Sequence, residues 1–355
     1  MLPDRVHQAF AIQEGHCARM GSAFTAHLCT RLAELIDPET PLGHRIADWP
    51  EDPEHSALAL RLCGALHRLV RTGAAPGLAA LYPPVGEMGE ELDAALADTL
   101  ASHEDAILDM IASPPQTNEI GRAACLIGAL MTVARETGQA LSLHEIGAAA
   151  GLNLLMPRYR IETSDGRSFG PEEAPVAIAA DWQGAAPETH PVEIAAARGC
   201  DRAPIDPADP EARERLMSYV WPDQPERLAR TEAAVALAAA APPRLERADA
   251  ADWVEARLAE PAEPGTARVL MHSITWQYLP PVTRARSAAA MDAAGAEATE
   301  AAPLAWVAFE RDETAGSAAL TLTLWPGGET RTLARCDFHG AWARWLAPEE
   351  GAGPL

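Results

Sequence analysis

The sequence predicts an α/β protein: an all-helical first part, residues 1–138, then a mostly parallel sheet over residues 139–347 that ends in an antiparallel hairpin. Three observations carry this. Up to about position 137, apolar residues recur at three- and four-residue steps, the period of amphipathic helices. From Leu141 onward, short apolar runs alternate with helical patterns, as in parallel strand–helix–strand units. Near the end, Ala319 to Trp325 and Thr330 to Asp337 alternate polar and apolar residues around Pro326-Gly327-Gly328, a hairpin signal.

In the first part, Val6, Phe10, Cys17, Met20, Phe24, Leu28, Leu32 and Leu35 trace one helix face, which Pro38 and Pro41 stop. A second helix fits Ser56 to Val70, ended by Thr72-Gly73. Leu78 to Tyr82 is a turn closed by Pro83-Pro84, and Glu87 to Ile111 is a further amphipathic run. Pro114-Pro115 breaks the chain before Asn118, which is placed to cap a helix from Glu119 to about Thr137. His16, His27, His67 and His103 include no pair at the i, i+4 spacing of a metal site, so they read as satisfied or surface histidines. The functional alternative for this helical domain is a lid over the second.

The second part is organised around Leu141 to Leu155. Leu141, Leu143 and Ile146 mark a short buried strand, and Gly147 to Gly151 is a turn of glycine and alanine only, before a helix over Leu152 to Arg158 limited by Pro157. Small side chains let backbone approach a ligand, and a helix start offers free N–H groups. Glu145, at the strand's carboxyl end, is placed to meet a ribose hydroxyl or a cation. The alternative is a tight connection whose small residues only permit packing.

Tyr159 to Phe169 alternates around Ser164-Asp165-Gly166, so a hairpin is inserted near 159–190, with 171–191 an irregular crossing. Val192 to Ala196 is the second core strand, leading to Asp201, which either faces a ligand at the strand end or serves as a turn residue like Asp206 and Asp209. Helices follow at Pro210 to Tyr219 and Gln224 to Ala241. A third strand, Arg244 to Ala248, puts Asp249 at its end, while Asp252 is placed to cap a helix over Trp253 to Leu258.

Arg268 to His272 is the fourth strand. It runs into Ser273-Ile274-Thr275-Trp276-Gln277-Tyr278, an unusual density of polar and aromatic residues that reads either as a site or as local packing. Thr283 to Ala294 is helical, Leu304 to Phe309 is the fifth strand, and Glu310 to Glu313 an acidic turn. Trp342 to Leu346 reads as a short closing helix, and residues 348–355 as a disordered tail.

Composition narrows the function classes. Fifty-one acidic residues against 28 Lys and Arg give a formal charge of -23, which repels a phosphate backbone and makes nucleic acid a poor partner. No run reaches the length of a membrane helix and the N-terminus lacks a signal-peptide pattern, so a cytoplasmic protein is expected. Cys17, Cys29, Cys63, Cys125, Cys200 and Cys336 are scattered without metal-ligand spacing, so reduced thiols and no metal are expected.

The order of strands and strand-end residues resembles the catalytic domain of class I S-adenosylmethionine-dependent methyltransferases. The resemblance implies a Rossmann-like, methyltransferase-type sheet. Glu145, Gly147 and Gly151 match the motif that holds the methionine part of the cofactor, with Ala148 and Asn153 beside them. Asp201 would bind ribose, Asp249 with Ala250 adenine, and His272 with Ser273 would face the methyl acceptor. His272 and Tyr278 are then the catalytic candidates, and Trp276, Gln277 and Tyr278 line the substrate pocket. At closer range, Gly-Ala-Ala-Ala-Gly-Leu-Asn-Leu-Leu at 147–155, Tyr-Val-Trp-Pro-Asp-Gln at 219–224, His-Ser-Ile-Thr-Trp-Gln-Tyr-Leu-Pro at 272–280 and Leu-Trp-Pro-Gly-Gly at 324–328 resemble the uncharacterised bacterial domain-of-unknown-function family 2332.

The expected function is therefore methyl transfer from S-adenosylmethionine to a small molecule. One rival is a non-catalytic binding or scaffold protein that retains the fold. Another is a hydrolase using Ser273 beside His272, disfavoured because no Gly-x-Ser-x-Gly surrounds Ser273 and adjacent strand residues point to opposite faces.

Overall fold

The computed structural model describes residues 2–347 except Val85 and Glu87; the tail expected to be disordered lies outside the described residues. The chain divides into two compact units, the stretch up to Thr117 with Asp209–Glu232, and Asn118–Ala208 with the chain from Ala233 onward.

The first unit is helical. The long run expected over 6–35 is two helices, α1 (Asp4–Arg19) and α2 (Ala23–Leu35). Between them Gly21 takes φ +77°, and Ser22 caps α2 by accepting from the Thr25 N–H. Then come α3 (Pro41–Ala47), α4 (Leu58–Arg71), α5 (Pro76–Ala79), α6 (Glu90–Ser102) and α7 (Glu104–Ile111), His103 separating the last two. Phe10, Leu28, Leu32, Leu62, Leu66, Leu92 and Ile107 share one buried core, each such side chain contributing about 1.5–3 kcal/mol. Helix α8 (Ala123–Thr137) belongs to the second unit, whereas α9 (Pro210–Ser218) and the first half of α10 (Pro225–Ala240) complete the first.

The second unit is built on an eleven-stranded mixed sheet with more parallel than antiparallel pairings, ordered β3-β2-β4-β11-β10-β9-β8-β7-β1-β5-β6. The strands are β1 (Ala140–Ile146), β2 (Arg160–Thr163), β3 (Ser168–Phe169), β4 (Ala177–Gly184), β5 (Ile194–Asp201), β6 (Arg244–Arg247), β7 (Thr266–Ser273), β8 (Leu304–Arg311), β9 (Ala318–Trp325), β10 (Glu329–Cys336) and β11 (Trp342–Trp345). Helix α11 (Ala250–Leu258) lies between β6 and β7, and α12 (Pro281–Glu297) between β7 and β8. Numbered along the chain, the five consecutive parallel strands β6-β5-β1-β7-β8 run third, second, first, fourth, fifth. Strand order therefore reverses between β1 and β7, where doubly wound sheets open a crevice at the carboxyl ends.

Two segments differ from the sequence expectation. Residues 177–184, within the expected irregular crossing, form β4, because Ile178, Ala180 and Trp182 alternate into the core. Trp342–Trp345 is strand β11 rather than a helix, with Ala343 and Trp345 inward and a parallel pairing to β4. The insertion after β1 thus adds three strands at the far edge of the sheet, which accounts for the long interval between Gly151 and Asp201. The antiparallel hairpin β9–β10 stands where the sequence places it, Leu324 opposite Glu329.

The two faces of the sheet are covered differently. Ile146, Leu270 and Leu304 pack with Trp253 and Val254 of α11 and Met291 of α12. Helix α8 packs against β4, β7, β8 and β9; twelve of its fifteen residues are buried, so it has no polar face to turn to water. Among the described residues, no helix is long and apolar enough to cross a membrane.

Candidate functional site

Because side chains alternate along a strand, Glu145 shares the α8 face with Leu141 and Leu143, opposite His144 and Ile146. It is 2% exposed. Asn153, in the 3-10 turn Leu152–Arg158, lies beside its carboxyl group. Glu145 Oε2 and Asn153 Oδ1 are left buried with no partner. Burial pushes the Glu145 carboxyl up to about 8, against the opposing pull of the neighbouring Asn153 amide and the Arg122 charge. Two buried oxygens without a hydrogen-bond partner, at the reversal of strand order, are what a ligand's polar groups would complete.

The turn that follows is tightly held. Gly147 has φ +66°, and a Cβ there would stand 2.3 Å from Thr275 Cγ2. Ala149 is left-handed at φ 50°. The expected free N–H groups are largely spent: Ala148 donates to Cys200 O, Ala149 to Asp201 Oδ2, Gly151 to Ala148 O and Leu152 to Asn118 Oδ1. At Gly151, φ +69°, a Cβ would meet Pro243 at 2.6 Å, so its bare side faces protein.

Asp201 ends β5 and accepts from the N–H groups of Ala149 and Ala203, at 3.0 and 2.9 Å, tying the small-residue turn to the second parallel strand. Asp249, not Asp252, is the cap of α11: its Oδ1 accepts from the Ala251 N–H at 2.9 Å. The helix starts at Ala250 because Asp249 still has extended backbone, φ -69° and ψ 142°. Asp252 instead pairs with Arg286 on the surface.

His272 lies on the α11 and α12 face, two residues beyond Leu270, and is 2% exposed. Its Nε2 accepts from the Trp306 indole N–H at 2.9 Å. An indole N–H only donates, so the ring proton is on Nδ1, which donates to Glu310 Oε1 at 2.7 Å. Trp276 stacks on the imidazole with centroids 5.0 Å apart and an interplanar angle of 15°. The same Glu310 oxygen accepts from the N–H groups of Thr275 and Trp276, at 2.9 and 3.1 Å, while Oε2 is buried without a partner. Between these groups, Ile274 takes φ 50°, a left-handed conformation that a β-branched residue rarely adopts.

Ser273 faces the other way. Its carbonyl and hydroxyl both accept from Arg122, at 3.0 and 3.3 Å, and Arg122 also donates to Phe338 O at 2.9 Å. Ser273 and His272 therefore do not form a nucleophile–base pair. Gln277 and Tyr278 are exposed and Trp276 is half-buried. The structure thus gathers Glu145, Asn153, Gly147, Ala148, Asp201, Ser273 and Trp276 around the carboxyl ends of β1, β5 and β7, but distributes Glu145 and His272 to opposite faces of the sheet.

Arg122 and Glu310 went unread in the sequence. Glu310 had a signal, an acid directly after the apolar run of a parallel strand, the same pattern that marks Glu145; Arg122 had none, being one base at the start of an apolar helix. Among the described residues, no group of three or more His, Cys, Asp or Glu is arranged to hold a metal ion.

Of the four segments that carry the family resemblance, two are accounted for by packing. Tyr219 lies on Gly64, where a Cβ would come within 2.5 Å of its ring, and Asp223 accepts from Ser22 Oγ and the Phe24 N–H. Trp325 fills the space beside Gly295, where a Cβ would stand 2.4 Å from its indole nitrogen. The other two segments follow β1 and span the end of β7.

A family model described as an uncharacterized protein conserved in bacteria (DUF2332) matches residues 7–345. No curated protein and no solved structure matches the chain.

Proposed function

We propose that this chain, which belongs to the DUF2332 family of uncharacterized proteins conserved in bacteria, is a methyltransferase that binds S-adenosylmethionine at the carboxyl ends of β1, β5 and β6 and methylates a small molecule. One observation carries the reading: at the reversal of strand order, Glu145 Oε2 and Asn153 Oδ1 are buried oxygens without a hydrogen-bond partner. Leaving them so costs about 1–3 kcal/mol each, and an ammonium group of the ligand meets both. The parallel order third-second-first-fourth-fifth, shared with nucleotide-binding doubly wound sheets, supports it.

Residue roles follow from position. Glu145 and Asn153, with Gly147, Ala148 and Gly151 shaping the turn, would hold the amino-acid part of the cofactor. Asp201 retains lone pairs for ribose hydroxyls beyond the two backbone bonds it accepts. Asp249 and Ala250 would border the base. The cofactor supplies a methyl group on a positively charged sulfur, open to displacement by a lone pair. This chain's contribution is alignment and exclusion of water. His272, with both nitrogens engaged, holds Trp276 and Trp306 in place, and takes a proton only after Trp306 releases Nε2. Tyr278 and Gln277 stand at the exposed rim of the same segment.

Calorimetric titration with S-adenosylmethionine tests this. Saturable heat and thermal stabilisation are expected, with affinity at least about tenfold weaker in Glu145→Gln; no heat and no stabilisation would overturn the reading.

A second reading, a non-catalytic binding or scaffold protein, is favoured by the spent N–H groups of the small-residue turn and by Thr275 filling the space against Gly147. It predicts that changes at Gly147 or Glu145 alter stability alone.

A further inference from the structure

The segment after β7 has recognition capacity that cofactor binding does not use. Trp276 and Trp306 meet edge to face at 5.3 Å and are both half-buried. Beyond them Tyr278 is 70% and Val282 66% exposed, two of the three large apolar side chains exposed among the described residues. Exposed apolar side chains thus follow the His272 stack along the chain, within six residues of Trp276.

At the base of this segment lies Glu310, bonded to His272 and to the Thr275 and Trp276 N–H groups, its side chain 13% exposed. Oε1 is saturated by three donors, and Oε2 has none. The left-handed Ile274 lets two successive N–H groups, of Thr275 and Trp276, converge on Oε1, so the local strain maintains the asymmetry of the carboxylate. A neutral apolar ligand would leave Oε2 unmet. An anionic one would be repelled by Glu310 and by a chain of formal charge -23. What satisfies both halves is a flat apolar body carrying an N–H⁺ donor.

We infer that this segment is the acceptor subsite and that the molecule it takes is an amine carried on an aromatic ring, the ring against Trp276 and Trp306 and the amine donating to Glu310 Oε2. The inference rests on the methyltransferase reading only in making that amine the methyl acceptor, which requires the ammonium first to give a proton to Glu310 Oε2, its freed lone pair then taking the methyl group as the sulfonium leaves as a neutral thioether; its binding is measurable without cofactor.

The test titrates the full chain with phenethylamine, 2-phenylethanol and 3-phenylpropionate, following tryptophan fluorescence. Saturable binding of the amine is expected, at least tenfold tighter than the alcohol, with none of the carboxylate. Glu310→Gln should reduce the amine-over-alcohol preference to about twofold or less, and Tyr278→Ala, a change at an exposed position, should weaken all binding about threefold while keeping the preference. Equal binding of the three probes, absence of saturation, or a preference untouched by Glu310→Gln would each overturn the inference, as would unchanged amine affinity in Tyr278→Ala should Glu310→Gln not fold. Amine binding without S-adenosylmethionine binding would leave the subsite and remove the methyltransferase reading; cofactor binding without amine preference would do the reverse.

Discussion

The segment 218–224 of the helical unit and the segment 272–278 at the end of β7 look alike in sequence: each mixes Ser, Trp, Tyr and Gln, and each is fastened by an acid. Their acids are used differently. Asp223 has both oxygens engaged, Oδ1 by Ser22 and Oδ2 by the Phe24 N–H, and its neighbours Tyr219 and Trp221 are buried in apolar clusters. Glu310 concentrates three donors on one oxygen and leaves the other empty; Glu145, on the opposite face of the sheet, also has one buried oxygen without a partner. Crowded polar and aromatic residues do not by themselves distinguish a fastening from a site. What separates the two acids is unused carboxylate capacity, which Glu310 has and Asp223 lacks, while Tyr219 beside Asp223 also keeps a buried hydroxyl without a partner.

The largest effect that would sharpen this contrast is at Gly147. A Cβ there meets Thr275 and must take φ +66°, so Gly147→Ala should destabilise by roughly 2–4 kcal/mol in denaturant unfolding. Adding Thr275→Ala should recover part of the loss; a Gly147→Ala protein as stable as the parent would show that the turn is looser than described.

Glu145 comes next. Burial raises its carboxyl from 4.5 to about 8, so the folded state holds a proton that the unfolded chain releases. The associated stability is full below pH 4.5 and is lost as pH rises through 8. Glu145→Gln, neutral at every pH, should flatten stability across that window and raise it at pH 8 by roughly 1–3 kcal/mol. Parallel stability curves for the two proteins would mean that the carboxyl is not buried in solution.

Asp223→Ala removes the group that ties the start of α2 and should cost about 0.5–2 kcal/mol, without changing the affinity for any ligand of the strand ends. A binding defect in Asp223→Ala would erase the proposed distinction between the two segments. Smallest is Ile274→Asn, which exchanges a strained residue for one that tolerates the left-handed region; its unfolding midpoint should stay within the equivalent of about 1 kcal/mol.

Much of the architecture was legible because periodicity reports burial. The strands from Leu141, Arg244, Arg268 and Leu304 and the hairpin around Pro326-Gly327-Gly328 are present as read, apart from end residues. The failures have local causes. Gly21 and Ser22 split a run of continuous helical period, β4 was hidden in a segment rich in Pro and Ala, and β11 is too short for a period to show. At the site, Glu145 was readable as a strand-end acid, but the helix cap expected at Asp252 is made by Asp249, because two acids three residues apart offer the same cap to a helix that can start at either. Glu310 was passed over as one acid among a cluster, and Arg122 reaches Ser273 only through tertiary packing that no local pattern encodes.

The central claim, that the buried Glu145 carboxyl lacks a partner until a cationic ligand group reaches it, is tested most directly by calorimetric titration with S-adenosylmethionine at pH 7 in two buffers of different ionisation enthalpy. Binding should release roughly one proton as the neutral Glu145 carboxyl ionises beside the ammonium, and Glu145→Gln should bind weakly with no such release. Tight binding without proton release, or the same release from the Gln variant, would contradict the account.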